Sequence, residues 1–191
     1  MELEITLFEK AGTQNTEETL KIAQKFAENN DITDIVIASS AGETGIKASK
    51  IFDLSKTNIV IVTHACGFLK PGYQEMPEEN RKRLTDMGIK VLTVGHALSG
   101  AERTFRKSLN IWLPVELLAQ FLRSTMGNGF KVCIEISAMA ADAGLIPEDK
   151  DIIAIGGTGK GSDTAVLLKP SASSNLLDTK VRAILCKPRE F

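Results

Sequence analysis

The sequence is poor in the features that mark secreted, membrane-spanning or nucleic-acid-coating chains. Its 191 residues hold three cysteines, Cys66, Cys133 and Cys186, an odd number with no close pairing. A disulfide framework needs even, clustered spacing, so a reduced, cytoplasmic protein is expected. Cys133 and Cys186 lie inside apolar runs and read as small core residues. No apolar stretch approaches the ~20 residues that cross a bilayer. The opening MELEITLFEK is acidic and lacks the basic region and apolar core of a signal peptide. No membrane partner is expected. Neither sign of charge is in excess: Lys+Arg 23 against Asp+Glu 24 gives a net charge of -1. That balance argues against nucleic acid as a partner, which calls for a strongly positive face. Arg81-Lys82-Arg83, the one basic cluster, follows Glu78 and Glu79 and reads as a solvated helix face. No Pro/Ser-rich linker or charge block divides the chain, so a single domain over 1–191 is expected.

What is present is a set of five short apolar runs, each ending in small or polar residues. They are IVIASSAGETG (Ile35 to Gly45), IVIVTHACGF (Ile59 to Phe68), VLTVGHALSG (Val91 to Gly100), VCIEISAMA (Val132 to Ala140) and IIAIGGTGKGSD (Ile152 to Asp163). Such β-branched runs suit strands buried on both faces, as in a parallel sheet. The spacing predicts strands near Asp34 to Ser39, Asn58 to Thr63, Lys90 to Val94, Lys131 to Ile136 and Asp151 to Ile155. Two further strands are expected at Thr164 to Leu168 and Val181 to Cys186, and an alternating one at Leu3 to Phe8. Helices are expected from Asn15 or Thr16, over Glu43 to Asp53, from Pro77, from Ser99 and from Pro114, the last closed by Gly127-Asn128-Gly129. Alternation of strands and helices implies an α/β fold with a mostly parallel sheet, whose ligands bind beyond the carboxyl ends of the strands.

The loops there carry the candidate site residues. Ser40 to Glu43 and Ser99 to Glu102 both read S-x-x-E, a capping box that opens a helix. Ser39, Ser40, Ala41 and Gly42 add small residues and hydroxyls, so a phosphate can approach the backbone between Ser39 and Thr44. The turn Gly156, Gly157, Thr158, Gly159, Lys160, Gly161 fits neither the phosphate-loop nor the dinucleotide spacing. It reads as a wide turn between neighbouring strands with Lys160 at its tip. Its four glycines exceed what a turn requires, which suggests a backbone lying against a flat or anionic ligand. The only histidines, His64 and His96, end adjacent strands in similar contexts, THA and GHA, and should share one rim. With Cys66 they lack metal-ligand spacing, so no metal is expected and hydrogen bonding or ring stacking is preferred. Glu135, inside VCIEI, needs a partner if buried, and Lys10 or Arg103 could supply one.

Taken together, FEKAGTQNT (Phe8 to Thr16), SSAGET (Ser39 to Thr44), THACGF (Thr63 to Phe68), GHALSGAER (Gly95 to Arg103), VCIEI, GGTGKGSDTA (Gly156 to Ala165) and LDTK (Leu177 to Lys180) resemble a small prokaryotic family. The fold of that family is similar to the pyruvate kinase C-terminal domain. The resemblance implies a three-layer α/β sandwich around a five-stranded sheet of order 3-2-1-4-5. Likeness to pyruvate kinase itself is carried by Thr33 to Val62 and the topology. It implies that Ser39, Ser40, Gly42 and Thr44 match a loop that grips the phosphate of a sugar-bisphosphate effector. Glu43 departs from that loop and suits a phosphate only if it points back as the capping partner. The catalytic barrel of pyruvate kinase has no counterpart in these residues, so kinase activity is not implied.

The resemblance further implies bound flavin mononucleotide (FMN), with its phosphate at Ser39, Ser40, Ala41, Gly42, Glu43 and Thr44. The ring would lie across the glycine-rich turn and the loops carrying His64, Ala65, Gly67 and His96. FMN ranks above a sugar bisphosphate because only Lys160 offers a cation in that turn. One alternative is a hydrolase or transferase acting on a phosphorylated metabolite, with His64, His96 or Glu135 as general base and Cys66 as nucleophile. Another is an assembly domain, a homo-oligomer packed through the apolar Ile111 to Leu122 segment that bears Trp112.

Overall fold

The structure, a computed structural model, describes residues 4–191. Seven strands form one mixed sheet: β1 (Thr6–Lys10), β2 (Asp34–Ala38), β3 (Asn58–Val62), β4 (Lys90–Leu92), β5 (Ile152–Gly156), β6 (Thr164–Lys169) and β7 (Lys180–Glu190). Their order is β1-β7-β6-β5-β2-β3-β4. β2 runs parallel to β3 and β5, β4 parallel to β3, and β1 parallel to β7. β6 is antiparallel to both its neighbours. The expected first strand begins at Thr6; Leu3 lies outside the described residues.

The Ile/Val runs become central strands because their alternate side chains are buried on opposite faces. Ile35, Ile37, Ile59, Ile61, Ile153 and Ile155 enter one core layer, beneath α1 (Thr16–Asn29), α2 (Glu43–Ala48) and α3 (Glu78–Asp86). Val36, Val60, Val62, Ile152 and Ala154 enter the other, against α5 (Pro114–Met126) and α6 (Asn128–Asp142). Each fully buried isoleucine is worth roughly 1.5–3 kcal/mol of transfer free energy. The short helix α4 (Glu102–Leu109) lies beside α5 and buries none of its residues.

One expected element is overturned. Lys131 to Ile136 is not a strand but the first half of α6, continuous with the small-residue segment after it. Twelve of the helix's fifteen residues are buried, because it is enclosed between the sheet and α5. A helix buried all round loses the one-sided pattern that distinguishes it from a strand. The expected five-stranded sheet is correspondingly corrected to seven strands. The order 3-2-1-4-5 describes β2 to β6 when they are counted along the chain, with β6 reversed. β7 and β1 extend the sheet past β6.

The topology places a crevice. From β2 the chain builds outward through β3 and β4, then returns through α4, α5 and α6 on the opposite face to enter β5 beside β2. The sheet therefore changes direction between β2 and β5, and the loops leaving their carboxyl ends part there. Such switch points are where open α/β sheets bind ligands.

Close backbone packing holds α6 against this crevice. A Cβ at Gly156 would stand 2.5 Å from the Gly129 carbonyl oxygen and 3.1 Å from Val132 Cβ. Gly156→Ala is expected to overpack the contact and lower stability by about 1–3 kcal/mol. The readout is a lower urea midpoint with an unchanged denaturant slope. A wild-type midpoint would show that helix and strand do not meet backbone to backbone here.

Candidate functional site

A cavity of about 630 Å³ opens at the carboxyl edge of β5, β2, β3 and β4. Its first wall is the segment after β2. Ser39, Ser40, Ala41, Glu43 and Thr44 line it, as does Lys47 one turn further along α2. Gly42, in the left-handed region at φ 90°, turns the chain into the helix. Among the described residues, no protein acceptor faces the amides of Ala41, Gly42, Glu43 and Thr44. The Ser39 hydroxyl accepts from the Gly45 amide at 3.4 Å.

Neither expected capping box forms. Gly42 and Ala101 occupy the cap positions of α2 and α4, and neither makes a side-chain cap. Glu43 is exposed into the cavity instead of folding back. Glu102 caps a different helix, accepting from the Glu116 amide of α5 at 2.9 Å. Ser99 Oγ accepts from Arg103 Nη2 at 3.1 Å.

The second wall is aromatic. β3 and β4 bring His64 and His96 to one rim, with ring centroids 5.6 Å apart. Phe68 stacks on His64 at 4.1 Å and an interplanar angle of 28°, and lies 5.1 Å from His96. His64 Nδ1 pairs with Glu75 Oε1 at 2.7 Å. His96 Nε2 accepts the Ala65 amide at 3.2 Å. A neutral His96 therefore carries its proton on Nδ1.

The third wall is the turn between β5 and β6, where Gly157, Gly159, Lys160 and Gly161 reach the cavity. Its glycines are explained by the protein itself more than by a ligand. Cβ atoms at Gly157 and Gly161 would strike Ser162 Cα at 2.8 Å and Thr13 Cα at 3.0 Å, respectively. Only Gly159 has open space around it, and its φ of 73° is what the tip requires. Asp163, fully buried, accepts from the amides of Gly12 and Thr158, both at 3.1 Å, and clamps the turn.

The fourth wall was the least legible. Glu135 is buried on α6; its partners are Lys131 Nζ at 2.5 Å and the Leu98 amide at 3.0 Å, rather than Lys10 or Arg103. Arg103, Arg123 and Lys131 all line the cavity beside it. Arg103 lies over the Phe68 ring at 4.6 Å. Burial pulls both Arg103 and Lys131 below their ordinary values, and the Glu135 carboxylate opposes this. The one signal for this wall was the four-residue spacing of Lys131 and Glu135, which makes an ion pair only on a helix.

Several expected site residues stand apart. Gly156 packs against Gly129, and a Gly42 side chain would meet Asn80 Cβ at 3.1 Å on α3 rather than the cavity. Ala65, Gly67 and Thr158 belong to the rim loops without lining the cavity. Cys66 is exposed, whereas burial raises the thiols of Cys133 and Cys186. Among the described residues, no three His, Cys, Asp or Glu side chains cluster as metal ligands. Likewise, no described helix is long and apolar enough to cross a membrane.

This arrangement, with a hydroxyl loop after β2 and helices on both faces of the sheet, is met by a family model. Residues 17–169 match the pyruvate kinase, alpha/beta domain. The chain belongs to that family. The match spans β2 to β6 and all of the cavity lining except Thr13 and Thr16, while β1 and β7 flank it.

His96 gives the site a pH signature. Burial lowers it from 6.5 to about 4, with Glu135 opposing and His64, Arg103 and Lys131 adding to the shift. Between those two values the unfolded chain binds the proton and the folded one does not. Stability is therefore lost as pH falls from about 6.5 towards about 4. His96→Gln is expected to flatten this part of the pH–stability curve. Imidazole NMR should show His96 neutral at pH 5; a protonated His96 at that pH would contradict its burial.

Proposed function

We propose that this domain binds a phosphorylated small molecule in the rim cavity, with the phosphate in the segment Ser39–Thr44. The observation that carries this is the set of four acceptor-free amides beside the Ser39, Ser40 and Thr44 hydroxyls, all at the switch point. Successive amides with no protein partner form an anion-binding concavity, and hydroxyls add donors. Lys47 and Lys160 bring positive charge to the same side, where they offset the Glu43 carboxylate, which faces the cavity because the capping box does not form. The cavity volume falls within the range of small-molecule sites.

Within that class, FMN is the finer proposal. The family resemblance supports it, and so does the His64–Phe68–His96 wall, which offers a flat face for a ring. The ring support is thus transferred from the glycine turn to the aromatic wall. The ranking over sugar phosphates loses its original ground, because Arg103, Arg123 and Lys131 supply cations that the turn lacks. FMN fluorescence is expected to be quenched on titration at micromolar protein, and riboflavin to bind at least about tenfold more weakly. Ser40→Asp, which places a carboxylate among the amides, should remove that difference. Equal binding of FMN and riboflavin by the wild type would overturn the phosphate placement.

A second reading is a hydrolase or transferase, favoured by the His64–Glu75 contact at 2.7 Å. A carboxylate that orients one ring nitrogen leaves the other to act as general base. Under this reading, phosphomonoester or phosphodiester hydrolysis by the wild type should fall at least ~100-fold in His64→Ala. Absence of turnover across a broad ester panel would remove it.

A further inference from the structure

Helix α4 is built inside out. Its polar side chains are the half-buried ones: Glu102 accepts from the Glu116 amide of α5 at 2.9 Å, Arg106 pairs with Glu116 at 2.9 Å, and Arg103 lies over the Phe68 ring. Its apolar pair, Phe105 and Leu109, one turn apart, faces solvent, with Leu109 60% exposed. An amphipathic helix ordinarily buries its apolar stripe. Helices shorter than ~12–15 residues are also marginal in water on their own, and this one, of eight residues, buries none of them. The apolar surface continues through Ile111 and Trp112, the latter joined to α4 by Arg106 over its ring at 5.1 Å. It then runs along α5, where Leu117, Leu118 and Phe121, the last 63% exposed, face outward.

These seven side chains leave on the order of 700 Å² bare, on a scale of 150–250 Å² for each large side chain. That exceeds the roughly 300–600 Å² of the largest apolar patch on a typical monomer. It approaches the about 800 Å² that each partner gives to a standard interface. Charge is nearly absent: of the exposed residues between 104 and 125, Lys107 alone is charged. A membrane-surface helix would be flanked by lysines and arginines. Depletion of charge with aromatic enrichment is instead the composition of a protein interface core. A neutral face also meets its own copy without charge conflict. We propose that a second copy of this chain covers the α4–α5 face, giving a dimer about a two-fold axis. The contact stands behind a cavity wall, because α4 carries Arg103 and α5 carries Arg123, both of which line the cavity. In the dimer the partner's face holds α4, which has no buried residue of its own to hold it. The dimer does not depend on which ligand the cavity takes.

Sedimentation of the whole chain tests this. At about 50 µM the wild type is expected at twice the chain mass, since interfaces of this size hold at micromolar concentration or below. Phe121→Glu and Leu117→Glu, both at exposed positions, should each weaken the dimer at least ~30-fold, as at a central interface residue. Leu177→Glu, 89% exposed and outside the α4–α5 face, should leave it unchanged. Circular dichroism checks that the variants fold. Hydrogen exchange of the wild type needs no variant and decides alone should a glutamate variant fail to fold. Amides of residues 106–109 should exchange slowly in the dimer and faster as dilution separates it. A wild-type monomer at about 50 µM would overturn the proposal. Flotation of that monomer with vesicles of phosphatidylcholine and phosphatidylglycerol would assign the face to lipid. A dimer that survives both glutamates in folded protein would place the interface elsewhere and overturn the proposal too. Exchange at 106–109 that ignores dilution through the dissociation range would show that no partner holds α4, and would overturn it likewise.

Discussion

The buried carboxylate of Glu135 is the constraint on which the rim depends. At 5% exposure it can stay ionised only if its oxygens are satisfied, and Lys131 and the Leu98 amide do this. The first bond closes one turn of α6. The second ties the loop after β4 to that helix and seats Leu98 fully in the core. Two residues earlier, His96 is thereby fixed with its Nε2 on the Ala65 amide, so the loops after β3 and β4 are locked to each other. Removing one member of such a pair would leave an uncompensated buried charge, a loss of about 3–5 kcal/mol. The ion pair thus fixes geometry more than it adds stability.

Asp163 plays the matching part on the other side of the crevice. It is also fully buried, and it gathers the amides of Gly12 and Thr158 and the Thr164 hydroxyl. These bonds join the β5–β6 turn to the loop after β1. Thr16 Oγ1, accepting from the Ser162 amide at 3.0 Å, adds α1 to the same junction. Loops are ordinarily the mobile part of an α/β fold. Here two buried carboxylates hold three of the four rim segments to helices or to neighbouring loops. The segment after β2 is the exception: it is held through the Ser39 amide on the Val62 carbonyl and the Asn80 side chain on the Ala41 carbonyl, and its own amides are left open.

The sequence was informative wherever burial was one-sided or a strand was short. β2, β3, β4 and β5 stood out among the short apolar runs, and α1 and α5 as periodic apolar stripes with recognisable starts. The rim position of the two histidines followed from adjacent strands with similar endings. α6 was misread because Phe130, Cys133, Ile134, Ile136 and Met139 bury faces all round it, so length was the only remaining discriminator. The glycine turn was misread for a different reason. A glycine that yields to a neighbouring backbone looks, in sequence, like one that yields to a ligand. Only the tertiary neighbours Thr13 and Ser162 separate the two explanations. Arg123 was invisible for a third reason, since it sits on α5, an element with no loop signal, and reaches the cavity only through helix packing.

Membership of the pyruvate kinase alpha/beta domain family fixes the scaffold, but a scaffold does not choose a ligand. The choice is made by how charge is distributed about the switch point. On the α2 side the donors are backbone amides and hydroxyls, a set that can satisfy an anion without fixed positive charge. On the α4–α6 side the donors are charged side chains, and the buried acids Glu116 and Glu135 are already engaged by Arg106 and Lys131. Between them stands the aromatic wall of His64, Phe68 and His96, with the Arg103 guanidinium over the Phe68 ring. The cavity thus has two polar sides with an aromatic wall between them. The separation follows from the topology, because a chain that crosses from one face of a sheet to the other must place the two sets of helices on opposite sides of the gap it leaves.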